Sequence, residues 1–138
     1  MHLQRPWWSV LGAAVLGGLV GVMAVAAAGT QFLPVLSVRE GAGRFVGIPL
    51  ANGSIDYVTL LNERDGGING VPMVWEECHT VGDVPRGIEC YERLKTQGPT
   101  GAAALHQPFS APLAYAQTER ATHDQIPLIM MGTIGGLG

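Results

Sequence analysis

His106 and Ser110 lie close together in the run His106-Gln107-Pro108-Phe109-Ser110-Ala111. A serine within reach of an imidazole is the raw material of nucleophilic catalysis. The setting does not support that chemistry. Ser110 lacks the G-x-S-x-G turn that exposes a hydrolase serine, and His106 has no acid partner at a recognised spacing. His79 and His123 fare no better. Glu76 and Glu77 are neighbours on a predicted strand, so they point to opposite faces and form no carboxylate dyad. No enzyme and no cofactor is predicted from these residues.

Binding suits them better. Ser110 stands just ahead of a predicted helix, where its hydroxyl and the first free amides would form an anion site for a carboxylate. The bland alternative is that Ser110 only caps its own helix. Phe109 either covers a ligand or packs inside. In the run Arg39 to Gly47 the glycines free backbone amides to approach a ligand. There Arg44 offers a planar fork for a carboxylate and Phe45 an apolar wall; the alternative is a solvated arginine on a surface loop. Gly41 and Gly43 are followed three residues later by Val46, so the dinucleotide fingerprint is absent. For Cys78 and Cys90 a disulfide, two free thiols and a metal site with His79 all stay open, although the spacing matches no zinc motif.

The elements that would position these groups alternate strand and helix. Phe32 to Val38 reads as a buried strand, with Pro34 limiting its start. After the loop 39–47, Pro49 suits a first helical turn. Ile48, Ala51, Ile55, Val58 and Leu61 then recur at helical spacing, and Gly66 and Gly67 end the helix near Asp65. A second strand is predicted over Val71 to Glu77, then a loop from Cys78 to Asp83. Asp83 is a ready N-cap for a helix with Ile88, Tyr91 and Leu94 on one face, closed by Gly98 and Pro99. A short strand Ala102 to Leu105, a helix Pro112 to His123 and a strand Ile126 to Met131 follow. Such alternation predicts right-handed crossovers and a parallel sheet. Ligands of such sheets bind beyond the carboxyl ends of the strands. The loops 39–47, 106–111 and 132–138 therefore qualify.

The first 28 residues read differently. Arg5 is followed by Val10 to Ala28 without a charge, and Ala24, Ala26 and Ala28 give the A-x-A pattern of a cleavage site. This is the order of a secretory signal peptide, over 1–28. An uncleaved anchor is the alternative, since the stretch nears the roughly 20 residues that span a bilayer. No cysteine near residue 28 supports a lipid anchor, and no twin arginine is present. Either way the remainder is expected outside the cytoplasm, where a disulfide persists. The chain has 138 residues, room for one domain, and its formal net charge of −3 argues against a nucleic-acid partner.

The run Asn62-Glu63-Arg64-Asp65-Gly66-Gly67-Ile68-Asn69-Gly70 resembles the helix-to-strand turn of type I periplasmic binding proteins, in particular the branched-chain amino acid and amide group. Glu77-Cys78 and Gly87 to Lys95 are similar to the second strand and second helix of one subgroup. Ser110, with Pro112, Tyr115 and Ala116 after it, sits where that subgroup has its ligand-contacting serine loop. The resemblance covers about residues 33 to 131. It implies a three-layer α/β, parallel-sheet lobe, incomplete, over 29–138. It also implies a non-enzymatic substrate-binding component of an ABC importer in the periplasm. The partners would be a small molecule, an amino acid or related amide, and a membrane permease.

By that resemblance the ligand set is Ser110, Ala111, Phe109, Phe45 and Thr133. The glycine-rich residues after Met131 depart from the usual continuation around Thr133. The family closes two lobes over its ligand, and this chain stops after the fourth predicted strand. The expectation is a truncated or split form with half a cleft, which would bury little of a ligand. The competing expectations are the sensing domain of a receptor and a non-functional fragment.

Overall fold

The computed structural model describes residues 29–130; the predicted signal peptide 1–28 and Thr133 lie outside them. The element order is β1 (Gln31–Ser37), α1 (Arg44–Asp65), β2 (Met73–His79), α2 (Val84–Leu94) and α3 (Ala111–Asp124). β1 and β2 pair in parallel, from Gln31 with Met73 to Ser37 with His79. On its other side β1 meets the chain again through a parallel bridge between Phe32 and Ala103, and His106 in turn bridges Leu128 in parallel. The lateral order is thus β2, β1, the segment at Ala103 and the segment at Leu128.

Alternation along β1 sends side chains to two layers. Phe32 and Leu36 meet Cys90 and Leu94 of α2, Leu113 of α3, and Ile126. Leu33 meets Val58 of α1 and Met73 on the opposite face. The result is the expected three-layer α/β arrangement, with helices on both faces as a parallel sheet requires. Among the described residues no helix is long and apolar enough to cross a membrane.

Local signals explain the joints. Gly66 ends α1 in the left-handed conformation, at φ 69°. Gly67 has φ +98°, and a Cβ there would fall 1.9 Å from the Val71 carbonyl oxygen. The predicted Asp83 cap is present: its Oδ1 accepts from the Arg86 amide at 2.9 Å.

Several boundaries depart from expectation, among them the end of α2, which stops at Leu94 and not at Gly98. α1 begins at Arg44, not at Pro49, so Arg44 and Phe45 stand on the first helical turn rather than in a loop. Pro49 is tolerated inside because it removes only the bond to the Phe45 carbonyl, near an end. β2 continues to His79, so Cys78 is in the strand; the ladder with β1 carries it on to Ser37. The segments Ala102 to Leu105 and Ile126 onward are reduced to single bridges. Pro108 and Pro127 beside them supply no ladder donor.

Of the three options for the cysteines, the structure has the disulfide. Cys78 and Cys90 are joined, with their Cα atoms 5.8 Å apart, which ties β2 to α2.

Candidate functional site

The carboxyl ends of the strands converge on Val38, which is 2% exposed. α1 crosses so close to it that a Cβ on Gly47 would lie 2.1 Å from the Val38 carbonyl oxygen. The first loop, 38–43, and the loop after β2 also rest on this residue: Cβ positions at Gly43 and Gly82 fall 3.1 Å and 3.9 Å from Val38 Cγ1. The Gly43 position is 3.9 Å from Phe109 Cε1 as well. Hence Phe109 adjoins the first loop, and the two predicted binding loops share one rim.

Ser110 is the N-cap residue of α3, with extended backbone at φ −133°, ψ 154°, and its side chain makes no capping bond. Its carbonyl accepts the Ala114 amide at 2.9 Å, the first bond of the helix. Position and hydroxyl are therefore separable: Ser110 starts the helix without spending its side chain on it. Ala111 is buried behind it. Phe45 is 76% exposed, and the Arg44 guanidinium lies 4.9 Å from its ring centroid. That stacking sets the face of the guanidinium against the aromatic wall, on the first turn of α1. Hollows of about 340 and 370 Å³ lie along the far end of α3, around His123 and Gln125.

His106 is fully buried against the Tyr91 ring, at 4.5 Å between centroids, with neither ring nitrogen hydrogen-bonded among the described residues. Burial pushes its pKa down to about 4. It is a neutral core residue and does not meet Ser110 as a base. Tyr91 instead donates to Asp124 Oδ2 at 2.9 Å, which Lys95 Nζ also reaches at 2.8 Å. Lys95 holds the Asp124 carboxyl well below its usual range, and burial pushes the Tyr91 phenol up. These bonds staple α2 to α3. Among the described residues no group of three His, Cys, Asp or Glu is placed to hold a metal ion.

Sequence reasoning missed a polar cluster at the rim. Arg39 forms a two-pronged ion pair with Glu77, through Nε to Oε1 and through Nη2 to Oε2 at 2.9 Å. The Arg39 guanidinium holds the Glu77 carboxyl below its usual value. Glu76, on the other face, pairs with Arg93, so the predicted opposition of the two glutamates is met. The position of Arg39 one residue past a buried strand was the available signal; its partner depended on strand pairing.

No protein-family model and no curated protein sequence matches the chain. Solved structures do. One, described as an ABC transporter permease from the Pseudomonas fluorescens group, is 46% identical with a TM-score of 0.70, over 75% of this chain and 25% of that one. A fatty acid ABC transporter substrate-binding protein from Thermomonospora curvata is 17% identical, with a TM-score of 0.65 over 75% of this chain and 25% of that one. An ABC transporter substrate-binding protein from Sphaerobacter thermophilus is also 17% identical, with a TM-score of 0.57 over 75% and 27%. This chain spans about a quarter of the length of these structures. Its fold is a part of theirs, a partial α/β lobe with a parallel sheet.

Proposed function

We propose that this chain is the exported ligand-binding portion of a substrate-binding component of an ABC importer, and that it takes amino acids, branched-chain ones foremost, or related amides. The observation that carries the reading is Ser110. Its hydroxyl is not used to cap α3, and it sits at the start of that helix on the shared rim of two loops. A helix N-terminus with a free hydroxyl favours a carboxylate or an amide carbonyl. The likeness to ABC transporter structures supports the transport role and the membrane permease as partner. The solved relatives are transporter components, which agrees with a binding rather than a catalytic task.

In this reading Ser110 and the Ala111 amide hold the ligand's carboxylate or carbonyl. Phe109 and Phe45 supply apolar walls, and Thr133 adds a further polar contact. The segment 1–28 directs export to the periplasm, a compartment in which the Cys78–Cys90 disulfide is stable.

Titration calorimetry with L-leucine, L-valine and their amides tests the proposal. Binding by the intact gene product is expected. Ser110→Ala should weaken it about 10- to 100-fold, the scale of one hydrogen bond to a charged group. Unchanged affinity in that variant, with binding intact, would remove Ser110 from the site.

A further inference from the structure

One imidazole ties β2 to the start of the first loop. His79 is the last residue of β2, and its Nδ1 lies 3.1 Å from the Arg39 amide nitrogen. An amide N–H only donates, so Nδ1 carries the lone pair and the neutral ring is the Nε2–H tautomer. The same Nδ1 lies 3.3 Å from the Ser37 carbonyl oxygen. That oxygen already accepts the Thr80 amide at 2.8 Å and the Thr80 hydroxyl at 3.0 Å. One ring nitrogen therefore faces a donor and an acceptor. Neutral, it takes the donor; protonated, it must leave the Arg39 amide and turn to the Ser37 carbonyl.

What hangs on the Arg39 amide is the rim. Arg39 is where β1 gives way to the loop, followed by Glu40, Gly41 at φ +70° and then the turn bearing Arg44 and Phe45. Glu77 holds the Arg39 side chain while His79 holds its backbone. Charged groups surround the ring from each neighbouring element. Glu40 Oε1 of the loop is 4.0 Å from the buried Nε2. Arg39 and Glu77 flank it at the strand ends, and Arg86 of α2 donates through Nε to the His79 carbonyl at 2.9 Å.

We propose that His79 is a positioning residue for the rim: neutral, its Nδ1 holds the Arg39 amide and fixes the loop 40–43, and protonation of Nδ1 releases that amide and frees the loop. The consequence for ligand rests on the function proposed above; the clamp itself does not.

The test is nuclear magnetic resonance on the full chain, disulfide intact and nitrogen-15 labelled. At neutral pH, Nδ1 of His79 should be unprotonated and Nε2 protonated. Corrected for its intrinsic pH dependence, exchange of the Arg39 amide should quicken about tenfold as His79 titrates, the scale of one lost hydrogen bond. The amides of Ala104 and Lys95, bonded to Phe32 and Tyr91 carbonyls, should show no such step. His79→Asn offers a carbonyl oxygen that does not titrate; it should keep the Arg39 protection and lose the step. If that variant fails to fold, the wild-type tautomer and exchange profile decide alone. A protonated Nδ1 at neutral pH, or a flat Arg39 profile, overturns the proposal. A step accompanied by equal L-leucine affinity on both sides of it supports the clamp and overturns its consequence for the ligand. A step without L-leucine binding at any pH supports the clamp and counts against the proposed function.

Discussion

The Asn62 side chain brackets the backbone of Met73, accepting its amide at Oδ1 over 2.8 Å and donating from Nδ2 to its carbonyl over 2.6 Å. One amide thus joins the last turns of α1 to the first residue of β2, across the glycine turn between them. Asn62→Ala should cost about 2 kcal/mol, two modest hydrogen bonds to a partly buried site. Asn62→Asp keeps only the acceptor and should fall between. Urea denaturation midpoints at constant slope measure both.

The glycines of that turn should not respond alike. Gly66 has φ +69° with open space around its Cβ position, so Gly66→Ala should cost about 1 kcal/mol of left-handed strain. Gly67→Ala adds a collision with the Val71 carbonyl oxygen to a φ of +98°. It should cost roughly 3 kcal/mol or more, as strain and clash combine. Equal denaturation midpoints for the two variants would contradict this packing.

Reduction should loosen the α2 side of the sheet. The Cys78–Cys90 bridge closes a short loop, with a sequence separation of 12. The loop-entropy account then gives about 3 kcal/mol. Thermal unfolding with and without reductant, and of the Cys78→Ser, Cys90→Ser double variant, should show the same loss. A reductant effect that persists in the double variant would point elsewhere.

His106 should make the fold acid-sensitive. Burial takes its pKa from the ordinary 6.5 to about 4. The unfolded chain therefore binds this proton first, and stability falls as pH drops from 6.5 to about 4. The full loss is about 3 kcal/mol, reached below both values. Urea midpoints across this pH range should flatten in His106→Leu. An unchanged slope in that variant would assign the acid sensitivity to other groups.

Much of the fold was legible because its signals are local. Asp83 capping α2, Gly66 and Gly67 stopping α1, and the helical spacing of Tyr91 and Leu94 each act within a few residues of themselves. The alternation of elements then implied a parallel sheet, since a strand followed by a crossover helix returns in the same direction. Ser110 could be placed at a helix start for the same reason. Whether its hydroxyl capped that helix could not, because a rotamer choice separates the two outcomes.

The sequence by itself determined the order of elements as far as α2, the stop of α1 at Gly66, the Asp83 cap and the placement of Ser110 before α3. Only the tertiary structure decided what meets across elements. It brought Cys78 to Cys90, Glu77 to Arg39 and the His79 ring to the Arg39 amide, because each pair depends on the register of β2 against β1 or on the seating of α2. It also moved the start of α1 back to Arg44. Packing of Gly47 on Val38 draws the first turn onto the sheet, and the single bond that Pro49 forfeits is too small to prevent it.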